Sequence, residues 1–269
     1  MNDPIYRLIA EVLERGESAA VCTVTKSQGS TPRHIGSKML VYENGDFIGT
    51  IGGGEMEHRV LDETRMAITD GKPRLLSYTM NDPARGDPGV CGGQMEVFVE
   101  PILPSAKVVI IGSGHVGKAV AHLAKWLGFR VAVSDDRPAF CAPETNPDAD
   151  EYYPVSMADL PGQLKINPQT YLVLTTRGVA VDVPGIPALL ETRAAYIGVI
   201  GSRRRWATTL KELKAQGVAD EKLARIHSPM GLELNAETPQ EIAVSIMAEI
   251  IMLRNGGTGE VMQESKNPI

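Results

Sequence analysis

The sequence predicts an α/β chain in two parts, a small mixed α+β N-terminal domain followed by a Rossmann-like parallel-sheet domain. Three observations carry this. Val108 to Gly117 reads VVIIGSGHVG, an apolar run passing into Gly-x-Gly-x-x-Gly, and it begins more than a hundred residues into the chain. A second apolar run, Arg130 to Ser134, ends in Asp135, where the acidic residue of such a unit bonds a ribose hydroxyl. Ahead of both lies a hundred residues with its own helices and β-rich runs, and 269 residues suffice for two ordinary domains.

In chain order, Asp3 and Pro4 read as N-cap and first helical residue, and Ile5, Leu8, Ile9, Val12 and Leu13 repeat at helical spacing up to Gly16. Ala19 to Thr25 is rich in β-formers. Lys38 to Tyr42 and Phe47 to Ile51 flank Asn44-Gly45, the signal of a tight hairpin. A helix is expected from Glu55, with Val60, Leu61, Thr64 and Ile68 on one face and Gly71 as its stop. Arg74 to Met80 and Gln94 to Glu100 read as strands, the second alternating Met95, Val97 and Val99 with Glu96, Phe98 and Glu100. Prolines at 101 and 104 mark a stiff connection, so the division expected is 1–101, a linker at 102–105, a second domain at 106–255 and a loose tail at 256–269. Beyond the glycine fingerprint, Tyr171 to Thr175 and Ala195 to Ile200 extend a parallel sheet. Thr238-Pro239-Gln240-Glu241 is a capping box that launches a helix carrying Ile242, Ile246, Ile250 and Leu253.

Composition narrows the function. The formal charge is -6 and the one basic tract is Arg203 to Arg205, which argues against nucleic acid and membrane surfaces as partners. Acids and bases interrupt the apolar positions of the first residues, unlike a signal peptide, and no stretch approaches a membrane span. Cys22, Cys91 and Cys141 form no CxxC and no even framework, which suits a reducing cytoplasm.

Chemistry concentrates in glycine-rich segments. In the first domain these are Gly29 to Gly36, Gly49 to Glu55, and Asp87 to Gly93. Gly52, Gly53, Gly54 and Glu55 precede a helix, so they are either an anion seat built from backbone N–H groups or a tight turn that needs positive φ. The helix dipole contributes about 0.3 to 2 kcal/mol, whereas micromolar binding needs about 8 kcal/mol. Ser30 and Thr31 hydroxyls and the Arg33 and Lys38 cations are the nearby groups able to add to it. Cys91, between Gly89 and Gly92, is either an accessible soft ligand or sulfur acceptor, or a small packed filler. In the second domain Gly112, Gly114 and Gly117 serve turn, pyrophosphate approach and helix packing, and His115 opens the helix; packing alone would also account for them. Arg203 to Arg205 and Asp182 lie where strands of this sheet end, and an arginine cluster in a first helical turn favours an anionic neighbour. An NAD(P)-dependent oxidoreductase using Asp135 is one function compatible with this pattern, and a scaffolding protein with unused sites is another.

Together these segments resemble the xanthine dehydrogenase accessory factor family of the XdhC and CoxI type. The resemblance rests on GSTPRHIGSKM, GTIGGGEME and GVCGGQMEVFVEP in the first half. In the second half it rests on IGSGHVGKAVAHLAKWLGFRVAVSDDRP, YIGVIGSRRR and SPMGLELNAETPQEIAVSIMAEI. It implies a protein that binds the molybdenum cofactor, molybdopterin, protects it during sulfur modification and delivers it to a molybdenum hydroxylase such as xanthine dehydrogenase. The resemblance further implies a homodimer, and a cysteine desulfurase is a natural sulfur-supplying partner. On this basis Ser30, Arg33, Gly52, Gly53, Gly54, Glu55 and Cys91 become candidate cofactor contacts, with Cys91 as a candidate metal ligand. Gly112, Gly114, His115, Gly117 and Asp135 become a candidate nucleotide site.

Overall fold

The computed structural model describes residues 4–80 and 92–263, and the chain separates into two compact units between Pro104 and Ser105. The first unit holds helix α1 (Pro4–Glu14), strands β1 (Ala19–Gln28), β2 (Lys38–Tyr42) and β3 (Phe47–Gly49), helix α2 (Gly54–Asp70), and strands β4 (Arg74–Thr79) and β5 (Gln94–Ile102). Its five-stranded sheet runs β3-β2-β1-β5-β4, antiparallel throughout. Both faces of β1 are covered, which explains an apolar run without polar alternation. Ala20, Cys22 and Val24 pack with Met56, Val60 and Ala67 of α2, while Ala19 and Val21 pack with Ile5 and Val12 of α1. Gly71 ends α2 in the left-handed region at φ 70°. Strand β5 runs beyond Glu100 through Pro101, opposite Ala20 of β1. The ring nitrogen costs no ladder bond on the other side, because β4 begins opposite Val99.

The second unit holds β6 (Lys107–Ile111), α3 (His115–Trp126), β7 (Arg130–Ser134), a 3-10 turn (Pro138–Phe140), β8 (Glu151–Tyr153), α4 (Leu160–Gln163), β9 (Thr170–Leu174), α5 (Val179–Leu190), β10 (Tyr196–Val199), α6 (Arg203–Ala215), α7 (Asp220–Leu223), β11 (Ile226–His227) and α8 (Pro239–Asn255). Six parallel strands lie in the order β11-β10-β9-β6-β7-β8, so strand order reverses between β6 and β9. Val108, Ile110 and Val173 face α3 and α8, and Val109, Leu172 and Ile197 face α5 and α6. A sheet buried on both sides requires these near-continuous apolar strands. Thr238 and Glu241 complete the capping box at the head of α8.

Candidate functional site

In the first unit, β1 lies between β2 and β5, and this pairing gathers the glycine-rich segments. Gln28 pairs with Gln94, which places Gly29 and Ser30 beside Gly92 and Gly93. A Cβ on Gly93 would collide with the Ser30 carbonyl oxygen, and one on Gly29 would lie 3.2 Å from the Gly93 Cα. The Pro32 ring sits against Gly52, where a Cβ would come 2.7 Å from the ring. Segments separated by as many as 64 positions thus form one continuous cradle, and a side chain at any of its joints would be crowded. Its lip differs: Gly53, Gly54 and Gly92, next to the joints, all have positive φ, and a Cβ on any of them would meet nothing within 4 Å.

Part of the candidate anion seat is occupied by the chain itself. The Glu57 carboxylate accepts from Thr50 Oγ1 at 2.7 Å and from the Ile51 and Gly53 N–H groups at 3.2 Å each, and the Gly52 N–H donates to Thr50 Oγ1 at 3.1 Å. What remains for a guest is the head of α2, where Gly53 stands as an N-cap with no side-chain hydrogen bond. Glu55 turns to Arg59 at 2.9 Å. Arg33 is exposed, donates only to the Pro32 carbonyl at 3.4 Å, and has no carboxylate partner among the described residues. Lys38 points back toward its sheet, donating to Thr23 Oγ1 at 3.1 Å. Cys91 and the preceding Asp87 to Val90 lie outside the described residues.

The second unit carries a cavity of about 510 Å³ at the carboxyl ends of β6, β7, β8 and β9. It brings together Gly112, Gly114, His115 and Asp135. Gly114 caps α3 without a side-chain hydrogen bond, and a Cβ there would meet nothing within 4 Å, so a ligand can approach its backbone. Gly117 lies inside the fold: a Cβ would strike the Gly112 carbonyl and sit 2.9 Å from Thr175 Oγ1. Asp135 is fully engaged. Its Oδ2 accepts from Ser113 N–H at 2.9 Å and Arg137 Nη2 at 2.8 Å, and its Oδ1 from Arg137 N–H at 3.0 Å and Nε at 2.8 Å. Burial opposes ionisation, yet the Arg137 side chain, the Ser113 N–H and the Arg137 N–H outweigh it and hold the carboxyl at about 2.

Sequence reasoning did not single out several residues at these sites. Arg137 stacks over the Phe140 ring at 3.8 Å, and Asp136 receives both arms of Arg177 at 2.7 and 2.6 Å. The readable signal was Asp-Asp-Arg directly after a strand. Glu57, one helical turn past a glycine run, had a comparable signal. Asp182 and Arg205, both expected where strands of this sheet end, pair with each other: Arg205 donates to Asp182 at 2.7 and 3.2 Å and to Thr176 Oγ1 at 2.6 Å. Cys22 and Cys141 are buried; burial pushes the Cys22 thiol up to about 11 and raises Cys141 as well, so neither is a ready thiolate. Among the described residues no three His, Cys, Asp or Glu side chains converge on a metal position, and no helix is long and apolar enough to cross a membrane.

Comparison with known proteins adds the following. The model of the XdhC and CoxI family matches residues 12–79, and that of the XdhC Rossmann domain matches residues 108–250. The uncharacterized protein YqeB of Escherichia coli (strain K12) is 36% identical over 98% of this chain and 49% of its own length. A probable xanthine dehydrogenase subunit of Bacillus subtilis (strain 168) is 32% identical over 59% of this chain and 46% of its own. The chain therefore spans about half the length of these two relatives. The molybdenum cofactor insertion chaperone PaoD of Escherichia coli (strain K12) is 21% identical over 93% of this chain and 88% of its own. A crystal structure of a xanthine dehydrogenase from Bacillus halodurans shares the fold, with a TM-score of 0.51 at 21% identity over 97% of each chain.

Proposed function

Because the chain belongs to the XdhC and CoxI family, we propose that it is an accessory factor that binds the molybdenum cofactor, shields it during sulfur modification and passes it to a molybdenum hydroxylase such as xanthine dehydrogenase. The observation that carries this reading is the convergence of Gly29–Ser30, Pro32, Gly52 and Gly92–Gly93 in one cradle. A molybdopterin is a flat pterin with a phosphate, and the cradle suits such a guest in two ways. Its side-chain-free lip leaves space for a flat ring, and Arg33 is a guanidinium without a carboxylate partner among the described residues. The relative PaoD, named for cofactor insertion, supports the same reading.

In this account the cofactor supplies the metal chemistry, and the chain supplies a hold. Gly53, Gly54 and Glu55 present the head of α2 to the phosphate, Arg33 adds charge, and Ser30 adds a hydroxyl. Glu57 keeps the turn in shape by bonding its earlier N–H groups. Cys91 serves as the soft contact to the metal, sulfur comes from a cysteine desulfurase, and the working form is a cytoplasmic homodimer. Extraction and mass spectrometry of the material that co-purifies tests the reading. A pterin is expected, with less of it in Cys91→Ser and Arg33→Ala; a folded protein that takes up no pterin, alone or beside its hydroxylase, would overturn it.

A further inference from the structure

The reversal of strand order between β6 and β9 opens a crevice whose two halves each have room for one nucleotide in dinucleotide-binding sheets of this topology. Here the halves are not equivalent. The 510 Å³ cavity occupies the half formed by β6, β7 and β8, together with the end of β9 and the start of α5. The other half, between the ends of β9 and β10, is bridged by side chains. Asp182 in the first turn of α5 is fully buried, and Arg205 in the first turn of α6 reaches it at 2.7 Å. Arg205 also binds Thr176, through its hydroxyl at 2.6 Å and its carbonyl at 3.2 Å. The arginine lies across Gly201, where a Cβ would come 2.8 Å from its Cδ. A ligand entering this half would have to part a buried ion pair and strand the Asp182 charge.

We propose that the second unit is a single-nucleotide site: the cavity takes one nucleoside 5′-phosphate or 5′-diphosphate, and the Arg205–Asp182–Thr176 bridge shuts out the second nucleotide of NAD or NADP. The phosphate lies against the open backbone of Gly114 and His115 at the head of α3. The base enters the slot walled by Phe140, Val155, Met157, Val181 and Pro184. Asp135 already spends both oxygens on Ser113 and Arg137, so ribose reading by that carboxylate contributes little to affinity unless Arg137 moves away. The nucleotide is either free or the terminal part of an extended pterin cofactor, since both present the same phosphate and base.

Calorimetric titration of the full chain with ADP, CDP and NAD+ tests this. ADP or CDP is expected to bind, and NAD+ no more than about threefold tighter than ADP, because its nicotinamide half finds no slot. Gly114→Val and Ala180→Trp, the latter filling the cavity from an exposed position, should each weaken binding at least about tenfold. Trp126 and Trp206 both belong to the second unit, so their fluorescence reports whether Gly114→Val still folds there. NAD+ binding more than about threefold tighter than ADP would overturn the proposal, as would a folded wild-type chain that binds neither ADP nor CDP. Mass spectrometry of the released ligand separates the two sources, a bare nucleotide or one joined to a pterin. The inference stands apart from the accessory-factor reading: a chain that held a pterin yet bound no nucleotide would lose the first and keep the second.

Discussion

Replacing Asp135 with Asn removes a charge while keeping the size of the side chain, and the structure sets the expected cost. The folded carboxyl sits at about 2 against an ordinary 3.8. At about 1.4 kcal/mol per tenfold change in proton affinity, that difference corresponds to about 2.4 kcal/mol. The Arg137 side chain is 40% exposed, so solvent screening trims the figure to about 1 to 2 kcal/mol. The amide nitrogen of Asn must then face either the Ser113 N–H or the guanidinium, which pushes the loss toward the upper end. Because the folded group is the stronger acid, the stabilisation is complete above the ordinary carboxylate range. As the pH falls through 3.8 toward 2 the unfolded chain takes up its proton first, and the stabilisation fades. Urea unfolding followed by Trp126 and Trp206 reads the second unit selectively. The gap between wild type and Asp135→Asn should shrink by about 1 kcal/mol between pH 7 and pH 3. A gap below about 0.5 kcal/mol at pH 7, or one unchanged at pH 3, would refute this account of the turn.

Gly93→Ala drives a methyl group into the Ser30 carbonyl and should destabilise the first unit by about 2 kcal/mol or more, whereas Gly53→Ala meets open space and pays only for its φ of 79°, about 1 to 2 kcal/mol; chemical denaturation followed by circular dichroism distinguishes them. Glu57→Ala leaves the Thr50, Ile51 and Gly53 donors without their shared acceptor, and a loss of about 1 to 3 kcal/mol is expected in the same assay. Glu249 accepts from Tyr196 OH at 2.5 Å, Gly231 N–H at 2.6 Å and His227 Nδ1 at 3.0 Å, so Glu249→Gln should cost about 2 to 4 kcal/mol in tryptophan-detected unfolding. Burial works against that carboxylate, but its bonds to His227, Tyr196 and Gly231 lower its pKa, so its contribution is present above the ordinary carboxylate range and falls away as the solution is acidified through the folded value.

The elements that were legible in the sequence were those whose signal is local. Arg130–Ser134 reads as a strand because five residues between a helix and an acid leave few other choices, and Thr238 with Glu241 announces α8 through a cap that needs no tertiary help. Strands β8 and β11 went unread because three and two residues carry no periodicity; each exists because β7 and β10 offer it an open edge. The glycine segments were visible one by one. Their meeting was not, since it depends on β1 pairing with both β2 and β5, partners that lie from 15 residues away (Thr23 with Lys38) to 83 residues away (Ala19 with Ile102). Asp182 and Arg205 show the same limit: both were noticed, but a separation of 23 positions concealed that each is the other's partner.

Each glycine-rich turn has its backbone bound by a carboxylate that the fold brings to it, from within α2 in one case and from the end of β7 in the other. Glu57 takes the N–H groups of Ile51 and Gly53, and Asp135 takes that of Ser113. Each occupies the earlier donors of its turn, and each helix head that follows, at Gly53 and at Gly114, has no side-chain cap. The arrangement fixes the turn before any ligand arrives, so a guest need not supply the ordering entropy of the loop. It also sets a negative charge beside the proposed phosphate seat, which works against an anion. The two sites offset that charge differently. Arg137 sits directly on Asp135 and cancels it within the protein, whereas Glu57 has only hydroxyl and amide donors. In the first unit the compensating cation must therefore come from elsewhere, and Arg33, exposed beside Pro32 of the cradle, is the group placed to provide it. On this reasoning the cradle proposed in the first unit would grip its guest by charge supplied at the rim, and the cavity proposed in the second would do so by shape and backbone in a site already neutral.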